Sequence, residues 1–153
     1  IVTRYRAAAG TSDAIPFLPD QRYRTLGWRC KLGDAIPVGP LGTALAAAIT
    51  ELLSAHFCSA VECSADDLHT LVFPKTSELL VLDRAPGGNG LSEALLRPSC
   101  LPSILGQVEQ EVRRFIGQPE DWFFLFLNER GRCPIAVSPQ DVAQTLGKIV
   151  KVL

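Results

Sequence analysis

LLVLDRAPGGNGL, the stretch from Leu79 to Leu91, decides the fold of this chain. An apolar run of strand length ends at Asp83, and one proline and three glycines follow within the next seven positions. A new apolar pattern with helical spacing begins at Leu91. This succession predicts a buried strand, a tight turn and a short helix.

The segments on either side predict a sheet covered by helices. Residues 23–32 alternate apolar and polar side chains, which is typical of a half-buried strand. Residues 68–73 predict a strand that pairs antiparallel with the apolar run through a short hairpin connection. Residues 1–8 fit an edge strand, and the Ala/Leu-rich residues 41–57 predict a largely buried helix.

Taken together, the predicted elements describe one α/β or α+β domain over residues 1–153. We expect a mixed sheet of about five strands packed by three main helices. The predicted strands are 23–32, 58–63, 68–73, 79–83 and 122–127, and the predicted helices are 41–57, 103–116 and 139–153.

Composition excludes several broad classes. The 15 basic and 16 acidic residues nearly cancel, so net charge gives no sign of a nucleic-acid or membrane surface. No apolar run approaches the roughly 18 residues that span a bilayer, and we expect no membrane partner. The five cysteines are too sparse for a disulfide scaffold and predict reduced thiols in a cytoplasmic protein. The chain starts at Ile1 and has no methionine, which indicates a fragment or C-terminal domain of a longer protein.

Two interpretations of the glycine turn stay open. In the first, the backbone N–H groups of Gly87, Gly88, Asn89 and Gly90 bind a phosphate at the start of a helix. In the second, the glycines only permit a sharp turn from strand to helix. Asp83 also has a functional and a structural interpretation. It is either a catalytic carboxylate or metal ligand, or a structural residue that caps the turn.

Pro86 belongs with Asp83 in the structural interpretation of the turn. The turn matches neither the dinucleotide-binding fingerprint nor a Walker loop, because its spacing differs from both.

Basic residues before the first helix offer a second candidate site. On strands, alternate basic side chains share a face and are able to hold the phosphates of a nucleic acid. The alternatives are a solvated face or a face for an acidic partner. The candidate residues are Arg22, Arg24, Arg29 and Lys31.

The residues from Asp83 to Leu91 resemble a motif of the C-terminal accessory domain of DEAD/DEAH-box helicases. There an apolar strand ends in Asp, followed by two variable residues, Pro-Gly-Gly, a small residue and Gly, and a long Ala/Leu helix precedes the strand. Residues 41–57 match that helix. Residues 131–134, Gly-Arg-Cys-Pro, followed by a closing helix, resemble the family's cysteine-containing ending.

The chain departs from this family at its zinc cluster. Only Cys100 and Cys133 lie in the corresponding region, whereas a structural zinc site has four ligands. The resemblance therefore implies a degenerate zinc site and no bound cofactor, with zinc as the open alternative.

The family's ATPase core is also missing, because the sequence has no Gly-Lys-Ser/Thr loop. The resemblance thus implies a domain without catalytic activity of its own. Such a domain belongs to, or partners, a helicase core and assists nucleic-acid binding or complex assembly in DNA repair or anti-phage defence. Two alternatives stay open: a small enzyme that binds a phosphate-containing ligand at residues 83–90, and a protein-interaction module.

Overall fold

Four antiparallel strands form the sheet in this computed structural model, which describes residues 2–9, 23–118, 120–122 and 137–153. The central part is the three-stranded arrangement β2-β4-β3, and β1 extends it beyond β2. The strands are β1 (Val2–Ala9), β2 (Tyr23–Lys31), β3 (Leu68–Phe73) and β4 (Glu78–Asp83).

Helices pack against one side of this sheet, which makes the fold α+β. The first helix contacts β3, and the two later long helices pack against each other and against the first. The helices are α1 (Pro40–Ala60), α2 (Leu91–Ala94), α3 (Cys100–Arg113) and α4 (Pro139–Val152).

Strand β3 confirms the prediction for residues 68–73, and its antiparallel pairing with β4 is confirmed as well. Three other expectations are wrong. The described residues form four strands rather than about five. The described strands pair antiparallel throughout, so the described sheet is not mixed. Residues 58–63 are not a strand, because α1 continues to Ala60 and a turn follows it. Buried Phe57 and Cys58 extend the apolar face of the helix and account for its length.

The remaining element predictions fall at the C-terminal end of the chain. Helix α4 agrees with the predicted helix 139–153, and α3 starts three residues before the predicted residue 103. Trp122 is helical rather than the first residue of a strand. Residues 123–127, the rest of that predicted strand, lie outside the described residues.

One face of the sheet forms the floor of the hydrophobic core. On the core face, Trp28 and Cys30 of β2 lie opposite Val81 and Leu79 of β4, and all four side chains are at most 1% exposed. Trp28 also contacts Phe57 of α1 in an edge-to-face arrangement, with ring centroids 6.5 Å apart. The hydrophobic core therefore lies between this face and the helices.

Helix α1 is apolar enough to cross a membrane by length and composition, contrary to the expectation that no segment would be. An 18-residue window within its 21 residues has a mean hydropathy of 1.4. Half of that window is buried inside the domain, as in the core helix of a soluble protein.

Helix α1 also satisfies a backbone donor on the edge strand β3. The hydroxyl of Thr50 accepts a hydrogen bond from the Val72 N–H at 3.0 Å.

Gly42, in the first turn of α1, is required by a close approach of the preceding loop. A Cβ at this position would overlap the carbonyl oxygen of Pro37. Gly106 in α3 is the contrasting case, because a Cβ there would meet no atom within 4 Å.

We predict that Gly42→Ala lowers the free energy of unfolding by about 1–3 kcal/mol, because the methyl group forces Pro37 or the helix to move. Gly106→Ala is the matched control. It should raise stability by about 0.5–1 kcal/mol, because alanine reduces the entropy of the unfolded chain without a clash. Urea denaturation followed by circular dichroism measures both. Equal effects of the two substitutions would contradict the role assigned to Gly42.

Candidate functional site

Asp83 ends β4 with its carboxylate directed into the glycine turn. One oxygen, Oδ2, accepts hydrogen bonds from the backbone N–H groups of Asn89 and Gly90, each at 2.9 Å. The other, Oδ1, accepts from the N–H of Ser92 at 2.6 Å. The residue is 1% exposed. Both oxygens of this carboxylate are therefore engaged in holding the start of α2 against the end of the strand.

Strand β2 holds the same turn from the other side. The Thr25 hydroxyl bonds to the carbonyl oxygen of Asp83 at 2.6 Å, and the Gly87 N–H donates to the Arg24 carbonyl at 2.6 Å. The Trp28 indole N–H donates to the Ser92 carbonyl at 2.7 Å. These bonds join residues about sixty positions apart in the chain and fix the turn to the sheet.

The glycines of the turn are needed for two different reasons. Gly87, Gly88 and Gly90 have φ angles of +79°, +81° and +81°, a region that other residues seldom adopt. At Gly88 there is also no room, because a Cβ would lie 2.7 Å from the Leu26 side chain. Conformation and close packing together explain the Pro-Gly-Gly-Asn-Gly pattern that marks this stretch.

The turn does not present the phosphate cradle expected of Gly87, Gly88, Asn89 and Gly90. All four N–H groups donate within the chain, two of them to the carboxylate of Asp83 and two to backbone carbonyls. An anion would have to displace these acceptors and approach a negative charge. In this conformation the N–H groups cap the turn, and phosphate binding at these residues stays a prediction that requires the turn to rearrange.

An open groove lies beside α2, next to the turn. It has a volume of about 400 Å³ and contains one acidic and one basic side chain. Its walls come from α2 and the turn that follows it, and Asp83, being buried, does not line it. The groove is lined by Gly90, Glu93, Ala94, Leu96, Arg97 and Pro98.

The basic candidates do not form a single cluster. Arg22 lies outside the described residues. Arg29 and Lys31 are exposed at positions of the same parity in β2, whereas Arg24 is exposed at a position of the opposite parity beside the glycine turn. The expectation of one shared basic face therefore holds for Arg29 and Lys31 only.

Lys31 is paired rather than available as an isolated charge. Its ammonium lies 2.8 Å from the Glu78 carboxylate on the neighbouring strand. The hydrogen bond from Lys31 holds the pKa of Glu78 below its usual value. This pair reduces the positive charge of the surface around Arg29.

Apolar side chains on the second face of the sheet are a feature that the sequence analysis missed. Leu80 and Leu82 of β4 point away from the core, as does Leu71 of β3, and all three are half-buried. Phe73, at the end of β3, is 39% exposed. We call Leu71, Phe73, Leu80 and Leu82 the outer patch. The unbroken apolar run of β4 hid this patch, because it carries no alternation to separate the two faces.

His69 and Arg84 lie at one side of the outer patch. The Arg84 guanidinium donates to Nδ1 of His69 at 3.3 Å, a contact that uses the neutral form of the imidazole. Burial lowers the pKa of His69 below 6.5, and the charge of Arg84 lowers it further.

The cysteines do not assemble a metal centre among the described residues. No group of three or more His, Cys, Asp or Glu side chains in residues 2–9, 23–118, 120–122 and 137–153 is arranged to hold a metal ion. Cys100 begins α3, and Cys133 lies outside the described residues. The described part of the chain therefore supplies no zinc ligand set.

Comparisons with known proteins add no relative to this picture. No family model, curated protein or solved structure matches the chain.

We predict that Asp83→Asn lowers the free energy of unfolding by about 2–4 kcal/mol, because an amide nitrogen would face at least one of the three N–H donors. The matched control is Asp66→Asn. That carboxylate is 85% exposed and lies 4.0 Å from Arg84, so its loss should cost less than about 0.5 kcal/mol. Guanidinium denaturation measures both. A stable Asp83→Asn protein would show that the turn does not depend on the carboxylate.

The low pKa of His69 predicts a loss of stability at acid pH. Between its folded-state pKa and 6.5, the unfolded chain binds more protons, so stability should fall as pH falls through this window. NMR titration of the two histidines measures the pKa directly. Arg84→Gln should raise the pKa of His69 towards 6.5. An unchanged pKa in that variant would assign the whole shift to burial.

Proposed function

We propose that this chain is a non-catalytic accessory domain of a DEAD/DEAH-type helicase, or a partner of one, that works in DNA repair or anti-phage defence in the cytoplasm. The observation that carries the proposal is the bonding of Asp83. Asp83, the candidate catalytic residue, is buried, and both of its carboxylate oxygens accept hydrogen bonds from backbone N–H groups of the turn and α2. The bonding of Asp83 therefore supports a scaffold role for the turn that resembles the motif of the helicase accessory domains.

The outer patch supports complex assembly as the way this domain acts. Half-buried and exposed apolar side chains that face away from the core are typical of surfaces that contact another protein or domain. Arg29 and the Lys31–Glu78 pair lie beside the patch on the same face. A rim of charged groups around an apolar centre favours a protein partner, here the helicase core.

Nucleic-acid binding is a second way in which this domain would act. The exposed side chain of Arg24 or Arg29 would then contact the phosphates. The two arginines lie at positions of opposite parity in β2, so they would serve different surfaces. On the face that Arg29 and Lys31 share, Lys31 is paired with Glu78, which favours assembly over direct binding.

The test measures binding of the purified chain to the ATPase core of a DEAD/DEAH-box helicase from the same organism. We expect Leu80→Lys to weaken the complex at least tenfold, because it places a charge in the centre of the outer patch. Val38→Lys is the matched control, since Val38 is a fully exposed apolar residue in the loop before α1. Equal effects of the two variants, or no binding by the native chain, would refute docking through the outer patch.

Fluorescence anisotropy with a single-stranded DNA oligonucleotide forms the second arm of the same experiment. Binding with a steep salt dependence would assign a direct nucleic-acid role. Arg24→Glu and Arg29→Glu then identify which surface is used. No binding at low salt would remove the nucleic-acid mode and leave assembly as the function of the domain.

A further inference from the structure

Cys58 and Cys63 meet where α1 ends. The helix closes with a Schellman motif, in which the Cys63 N–H bonds to the Cys58 carbonyl at 2.9 Å and the Glu62 N–H bonds to the Ser59 carbonyl at 3.3 Å. Glu62, between them, has a φ of +54°. A Schellman motif places the third-last residue of the helix, here Cys58, next to the second residue after the C-cap, here Cys63. Apolar side chains usually make this contact.

Here the two side chains in that contact are thiols. The Cys58 thiol donates to the Ser64 carbonyl at 3.6 Å. The Cys58 thiol is close enough to Cys63 to raise its pKa. Cys58 is 8% exposed and Cys63 is partly exposed, so solvent reaches the pair from the Cys63 side. The backbone bond from Cys63 to Cys58 holds these two positions next to each other, so little movement of the side chains is needed to bridge them.

We propose that Cys58 and Cys63 are a redox-modification site that forms a reversible disulfide across the end of α1. The co-reactant is a low-molecular-weight disulfide. Cys63, the accessible thiol, loses its proton to solvent and attacks one sulfur of the small disulfide, which forms a mixed disulfide and releases one small thiolate. Cys58 then attacks the Cys63 sulfur and releases the second. Two electrons pass to the small disulfide, and its two thiolates take up the two protons.

The environment of the pair makes this step slow at neutral pH. Burial, the neighbouring Cys58 thiol and nearby acidic groups raise the pKa of Cys63 to about 12. Only the thiolate attacks a disulfide, so the reduced form persists under mild conditions and the rate depends strongly on pH. This inference is independent of the proposed function, because the two cysteines lie at the end of α1, outside the glycine turn and the outer patch.

Mass spectrometry of the whole chain after exposure to oxidised glutathione tests the proposal. Trypsin releases residues 32–75 as one peptide in which Cys58 and Cys63 are the only cysteines. We expect that peptide to lose about 2 Da, the mass of two hydrogen atoms, and to regain it with dithiothreitol. The oxidation rate should rise about tenfold per pH unit between pH 7 and pH 9, because the thiolate fraction rises in that proportion.

Variants and an adduct measurement keep the test decisive. Cys58→Ser and Cys63→Ser should each abolish the mass loss, whereas Cys100→Ser should leave it unchanged. A persistent glutathione adduct on Cys63 in the native chain would overturn the proposal, because it would show that Cys58 does not reach the mixed disulfide. Two alkylatable thiols in the 32–75 peptide after prolonged oxidation would overturn it as well.

Discussion

One buried carboxylate governs the arrangement of this domain. A charge at 1% exposure is costly unless hydrogen bonds replace the water around it. Asp83 meets that requirement with three backbone N–H groups from the turn and α2. The strand end, the glycine turn and the first residues of α2 are thereby bound into one unit, which β2 secures through Thr25 and Trp28.

This bonding changes the functional meaning of the glycine turn. Exposed N–H groups and a nearby acid would describe a ligand site, whereas mutually bonded N–H groups and acid describe a self-contained scaffold. The surface left to interact with other molecules is elsewhere. It includes the outer patch, where the second face of the sheet presents leucines and a phenylalanine beside charged residues.

The accuracy of the sequence predictions followed the strength of the local signals. Residues 68–73 are bounded by acidic residues and Pro74, and that strand was placed correctly. Residues 58–63 form a short, partly apolar segment that predicts a brief strand, and that prediction is wrong. The helix runs on because its buried face continues, and its stop is the Schellman turn at Glu62 rather than a glycine. Such a stop has no strong signature in the sequence.

The strand, the turn and the helix of the Leu79–Leu91 stretch follow from local sequence, because glycine, proline and apolar periodicity act over a few residues. The contacts that these elements make follow from the tertiary structure. It directed Asp83 towards the N–H groups of its own turn, divided the apolar residues of β4 between two faces, and set Cys58 against Cys63. Those outcomes depend on which atoms meet once strands and helix ends are fixed in space, and local spacing does not encode them.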